Sequence, residues 1–128
     1  AIIDDSPYLQ LVLGGEVVHV ERLARGYLGR GEAEAAVAAY RRVVYLAPDS
    51  PDAHFGLGLA LARGGLSDAA EAELARTVAL SPDHPAANAV LCRRALAAGR
   101  RDEARARCRT ALAGGVDLSP ELRAIAEP

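Results

Sequence analysis

The sequence predicts an all-α chain built from repeated helix–turn–helix units, on three observations. First, 51% of the 128 residues are apolar but only 4% are aromatic, with no Trp or Met. The core must then be Ala, Leu and Val, and Ala and Leu suit helices better than strands. Second, residues recur every 34 positions: Pro48 and Pro82, Pro51 and Pro85, Asp49 and Asp83, Leu46 and Leu80. Gly31, Gly65 and Gly99 keep that interval, as do Leu23, Leu57 and Leu91, and Ala36, Ala70 and Ala104. Such self-similarity is the signature of a repeat architecture. Third, helix-start and helix-stop residues fall at the edges of the resulting units, 17–50, 51–84 and 85–118. A segment 1–16 precedes them and 119–128 follows.

At the N-terminus, Ser6-Pro7 opens YLQLVL, a short helix that Gly14–Gly15 is expected to break. Two readings stand: a cap on the first unit, or a sticky segment that packs on a preceding domain or a second copy. In the middle unit Ser50 is an N-cap and Pro51 occupies the first helical position, where a missing N–H costs nothing. That helix is expected to reach Arg63, with Gly64–Gly65 closing it through a left-handed cap. Ser67 or Asp68 starts the partner helix, whose apolar face carries Ala70, Leu74, Thr77 and Val78, and Ser81-Pro82 ends it. The third unit repeats the scheme, with Pro85 as start, Gly99 as stop and Asp102 to Ala113 as partner helix. Ser119-Pro120 then repeats the start signal, and Leu122, Ile125 and Ala126 make the stripe of a capping helix. Gly58 fills a small slot shared with Ala24 and Cys92, where helices cross at close range. Gly56 has no such partner residues; room for a binding partner's backbone is the one account the sequence offers.

The unit pattern resembles the tetratricopeptide repeat family. The middle unit supplies His54, Leu57-Gly58, Leu61, Gly65, Ala70, Leu74, Thr77 and Pro82. The first supplies Val20, Leu23-Ala24, Tyr27, Gly31, Ala36, Tyr40, Val43 and Pro48. The third supplies Asn88, Leu91-Cys92, Ala95, Gly99, Ala104, Cys108 and Ala111, with Val116 where the closing Pro belongs. The resemblance implies a right-handed α–α superhelix of three repeats, with the first helix of each lining a concave groove that holds a peptide or a partner's helix. It places Val18, Glu21, Arg25 and Leu28, then Asp52, Phe55, Leu59 and Arg63, then Ala86, Ala89, Arg93 and Leu96 in that groove. Phe55, the one phenylalanine, is expected as an exposed anchor ringed by Arg25, Arg63 and Arg93, the alternative being a residue buried by the N-terminal segment or a neighbouring unit. Co-chaperones of this family grip C-terminal carboxylates with Lys and Asn. Those slots here hold Glu21, Arg25, Gly56, Ala86 and Val90, so the clamp is absent.

No catalytic constellation, cofactor motif or metal set is legible. His54 reads as a core residue, His84 as a solvated turn residue, and His19 has no sequence partner. Cys92 and Cys108 read as small hydrophobes from paired helices, close enough for a disulfide to be a minor alternative. The acids Glu71/Glu73 and Asp102/Glu103 read as helix-start residues. All fifteen basic residues are Arg, as a GC-rich coding bias produces, and the formal net charge is −2. That balance argues against nucleic acid, although Arg93, Arg94, Arg100, Arg101, Arg105, Arg107 and Arg109 cluster as a solvated face or an acidic-partner patch. No apolar run approaches a membrane span, and no leader pattern opens the chain. The expectation is a non-catalytic module binding a protein or peptide of acidic character. The alternative is an architectural segment of a larger polypeptide, or a scaffold that self-associates through the N-terminal segment. The compartment stays open between cytoplasm and periplasm.

Overall fold

The computed structural model describes residues 7–127, with side chains from residue 15 onward. Among the described residues the fold is all-helical: α1 (Pro7–Gly29), α2 (Ala33–Leu46), α3 (Pro51–Arg63), α4 (Ser67–Leu80), α5 (Pro85–Ala97), α6 (Arg101–Ala113) and α7 (Pro120–Ala126). The same local devices start and stop these helices. Ser50 Oγ accepts from the Ala53 N–H at 3.3 Å, and Ser119 Oγ from the Leu122 N–H at 3.4 Å, each followed by a proline. His84 holds the corresponding place before α5, its Nδ1 accepting from the Ala87 N–H at 3.1 Å. It is therefore a helix cap and half-buried, not a solvated turn residue.

The tight turns are closed by glycines at positive φ, 76° at Gly31 and 81° at both Gly65 and Gly99. In each, the next N–H bonds a carbonyl five residues back: Glu32 to Tyr27 (2.9 Å), Leu66 to Leu61 (2.9 Å), Arg100 to Ala95 (2.8 Å). The pattern recurs after α6, with Gly115 at 88° and Val116 N–H on Ala111 O at 3.1 Å.

The chain divides into two compact units, residues 1–73 and 74–128, with the boundary inside α4. In the first unit α2 packs against both α1 and α3. Its interior joins Ala24, Ala36, Tyr40, Val43, Ala53, Leu57, Ala60, Leu61 and Ala70. In the second, α6 packs against α5 and α7 around Ala89, Cys92, Ala95, Ala104, Cys108, Ala111, Leu118, Leu122 and Ala126.

Three expectations need correction, and one repeat position departs from its counterparts. Gly14–Gly15 does not break the first helix: α1 runs unbroken from Pro7 to Gly29, and residues 1–6 of the N-terminal segment lie outside the described residues. Each glycine costs a helix only about 1 kcal/mol. Val17 and Val20 on the core, and the Glu16–Arg42 ion pair to α2 at 2.7 Å, hold the helix against that cost. Leu23 keeps the interval of Leu57 and Leu91 but not their burial: it is 46% exposed, whereas they are 4% and 5%. Leu57 shares its core with Tyr40 and Val43 of the preceding helix, and among the described residues no helix plays that part for Leu23. Cys92 and Cys108 are not free thiols but a disulfide, with Cα atoms 5.3 Å apart. Finally, Gly56 makes room for the protein's own interior. A Cβ built there would lie 2.6 Å from Tyr40 Cδ1, inside the ring's contact distance.

Gly56→Ala is accordingly expected to destabilise the first unit by about 1–3 kcal/mol through overpacking. Gly15→Ala, where a Cβ meets nothing within 4 Å, is expected to stabilise α1 by roughly 0.5–1 kcal/mol. Urea denaturation of both variants checks the pair; equal effects would remove the Tyr40 explanation.

Candidate functional site

The groove residues can be followed onto the two units separately. In the first, α1 carries Val18, 57% exposed, with Glu21 and Leu28 half-buried and Arg25 exposed. On α3, Phe55 and Leu59 are half-buried, and Asp52 and Arg63 exposed. Phe55 is thus partly covered rather than the open anchor the repeat pattern implies. In the second unit, Arg93 is exposed while Ala86 and Leu96 are half-buried. Ala89 is 6% exposed and belongs to the interior, so it is not an open wall residue.

Two of the three arginines expected to ring the groove have internal work. Arg63 Nη1 donates to Leu28 O at 3.0 Å, a second bond to a carbonyl near the C-terminal end of α1 that also accepts from the Gly31 N–H at 3.1 Å. Arg25 Nη2 donates to Glu21 Oε1 at 2.8 Å, and the same guanidinium bonds the Tyr40 hydroxyl. Tyr40 therefore reaches from its place on α2 past Gly56 of α3 to Arg25 of α1, tying three helices together. The glycine was legible as an anomaly; its partner was not, because the ring lies 16 positions away with no periodic counterpart. Arg93 remains exposed. Elsewhere in the arginine cluster, Arg107 donates to Asn88 Oδ1 (3.2 Å), Arg109 to Ala126 O (2.7 Å) and Arg100 pairs with Glu103 (2.8 Å). Arg101 and Arg105 stay exposed.

A second arrangement went unnoticed in the sequence. Buried His54 donates from Nε2 to Pro48 O at 2.8 Å, and its Nδ1 faces Glu73 Oε2 at 2.7 Å. The carbonyl can only accept, which fixes a hydrogen on Nε2. Asn88 stands at the same repeat position. Its Nδ2 donates to Pro82 O at 3.0 Å and His84 O at 2.8 Å, and its Oδ1 accepts from Arg107. In both units one buried polar side chain bonds a loop carbonyl ahead of its helix and a charged partner 19 residues on. Glu73 is therefore a partner of His54 rather than a helix-start residue. The signal was available: Glu73 and Arg107, like His54 and Asn88, are one repeat apart, and the chemistry changes at both together. His19 is exposed.

The Tyr40 hydroxyl also gives the first unit a pH dependence. Burial raises its pKa above the ordinary 10.0, and Glu21 adds to that, while the charge and hydrogen bond of Arg25 oppose it. A raised folded-state pKa means that the stabilisation is fully present below 10.0 and is lost as pH rises through the higher folded value. Thermal unfolding midpoints should therefore fall on passing above that range, and Tyr40→Phe should flatten the fall. An identical profile in the variant would assign the loss to other groups.

A sequence model described as tetratricopeptide repeat matches residues 21–85, half of the chain. No curated protein matches the sequence. Among solved structures, the tetratricopeptide repeat domain of P58(IPK) is 25% identical with a TM-score of 0.76, covering 88% of this chain and 31% of that one. This chain thus spans less than a third of that protein's solved length. The first tetratricopeptide repeat domain of Spaghetti (RPAP3), bound to the HSP90 peptide SRMEEVD, is 19% identical with a TM-score of 0.74, covering 87% of this chain and 90% of that one. Its likeness is one of fold. With 34-residue spacing in its glycines, prolines and alanines, the same left-handed turn after α1, α3 and α5, and the match over residues 21–85, the chain belongs to the tetratricopeptide repeat family.

Proposed function

We propose that this chain is a non-catalytic interaction module that takes a peptide or protein segment along the first helices of its repeats. The tetratricopeptide repeat fold is that of a protein–protein interaction module; the groove and the kind of segment are the inference. One observation carries it. Val18, Leu28 and Leu59 place apolar surface on α1 and α3 that the interior of the first unit leaves open in whole or part. Half-buried Phe55 adds a rigid aromatic beside Leu59 on α3. Exposed apolar surface of this kind, rimmed by charge, is what a partner covers. On α5 of the second unit, Arg93 is exposed and Leu96 half-buried.

The charges favour an acidic segment less strongly than the sequence alone did. Arg63 and Arg25 make internal bonds, so their attraction for a partner is reduced, although the Arg25 side chain stays 69% exposed. Arg93 is the groove cation with most freedom to pair. The RPAP3 domain was solved with the HSP90 peptide SRMEEVD, which is acidic. Here Glu21, Arg25, Gly56, Ala86 and Val90 stand where co-chaperones of the family use Lys and Asn, and the one cation among them, Arg25, is paired with Glu21.

Peptides selected against the chain from a random display library should lose about tenfold or more in affinity on the Phe55→Asp/Arg93→Glu variant, a change of roughly 1.4 kcal/mol. Helicity should stay unchanged, and SRMEEVD should not bind at micromolar concentration. Undiminished binding to the variant would refute the groove.

A second reading, an architectural segment or self-associating scaffold, is favoured by Leu23. Its exposure, at a slot filled in the other two repeats, suits a helix packing on α1 as α2 packs on α3. Sedimentation at tens of micromolar distinguishes the two (on the order of 10⁻⁵ M, within reach of weak specific interfaces). A monomer that Leu23→Glu leaves unchanged argues against self-association.

A further inference from the structure

The disulfide stands where the rest of the chain uses side-chain packing. Cys92 occupies the repeat position of Ala24 and Gly58, and Cys108 that of Tyr40 and Leu74. In the first unit, small Ala24 on α1 and large Tyr40 on α2 share one core. At these two positions the last hairpin has no large residue, and a covalent bond joins them instead. Around it, α5 and α6 contribute fully buried surface to the shared cluster only from Ala89, Ala95, Ala104 and Ala111, with Leu96 and Leu112 partly buried. Leu118, Leu122 and Ala126 come from α7 and its approach, and they dock onto this same hairpin. Outside that cluster Leu91 is buried on α5 and Asn88 accepts from Arg107 of α6. Alanine buries little area, however, so the side-chain packing at the Cys92–Cys108 level is thinner than the Ala24–Tyr40 packing of the first unit.

We propose that the Cys92–Cys108 disulfide is a redox-released fastener: a dithiol reductant frees α5, α6 and α7 while α1 to α3 stay folded. The bond closes a loop with a sequence separation of 16, which in the chain-entropy account favours the folded hairpin by on the order of a hundredfold. Release follows ordinary exchange. A thiolate of the reductant attacks one Sγ and breaks the Sγ–Sγ bond, forming a mixed disulfide. The other cysteine leaves as a thiolate in that step. The reductant's second thiolate then attacks the reductant sulfur of the mixed disulfide, closes its own ring and expels the cysteine sulfur first attacked. Two electrons pass to the protein, both cysteines take up a proton, and the dithiol is oxidised. Both sulfurs belong to residues with 0% exposure, so the hairpin must open locally before attack, and reduction is slow in the native state. Division of the chain into two compact units at residue 73 gives the release a boundary. A chain held this way suits a compartment where thiols stay oxidised, and it registers the loss of that condition.

The test is amide hydrogen exchange of the air-oxidised full chain, before and after complete reduction by dithiothreitol, with intact mass confirming the gain of two hydrogens. Reduction should lower protection across α5 to α7 on the order of a hundredfold, with α1 to α3 unchanged. Cys92→Ala/Cys108→Leu, which restores a small residue facing a large one, should hold protection across α5 to α7 with or without reductant. A fully reduced chain that keeps its protection across α5 to α7 would overturn the proposal, as would equal loss in α1 to α3. So would an air-oxidised chain in which both cysteines still react with iodoacetamide after denaturation.

Discussion

Helices in this protein approach one another through residues that have almost no side chain, and the rest of the structure follows from that closeness. Ala24, Ala36, Ala60, Ala70, Ala95, Ala104 and Ala111 are all fully buried. Dispersion falls steeply with separation, so small side chains recover in contact what they lack in area. The arrangement is unforgiving at specific places. Gly56 cannot carry a methyl because the Tyr40 ring has taken its space, and the Tyr40 hydroxyl then finds Arg25 on a third helix. One missing side chain on α3 thus fixes where an aromatic from α2 sits and how a guanidinium on α1 is spent.

That use of arginine bears on recognition. A count of groove positions suggests a ring of three cations, but a guanidinium already bonded to a backbone carbonyl or a phenol binds a carboxylate less well. Arg63 closes the end of α1 and Arg25 closes the Tyr40 cluster. The apolar side chains of α1 and α3 therefore carry more of the proposed binding than charge does. Such surfaces distinguish partners by shape more than by charge.

Much of this was legible in the order of residues. The prolines, serines and glycines that start and stop α3, α5 and α7 act within three or four positions of themselves, so their effect can be read locally. The 34-residue interval made the helix pairing visible for the same reason. What escaped were relations between distant residues of unlike type. Gly56 with Tyr40 has no repeat to expose it, and Cys92 with Cys108 looked like two ordinary small residues. Leu23 departs for the opposite cause: its position matches Leu57 and Leu91, but a repeat position defines a slot only when a neighbour is there to cover it. Gly14–Gly15 misled because two glycines weaken a helix without obliging it to end.

His54 with Glu73, and Asn88 with Arg107, perform one task with opposite charges: an acid answers the first, a base the second. In the opening repeat the corresponding residues, Val20 and Ala39, are apolar and packed on the core. Hairpins that look interchangeable by outline are thus keyed separately. A chimera joining the first helix of one to the second helix of another would bury a histidine against a guanidinium, or an asparagine against a carboxylate. Gene duplication could lengthen such an array, but recombination within a repeat would be penalised at this one crossing. The borders that evolution can cut are those that leave each key with its own lock.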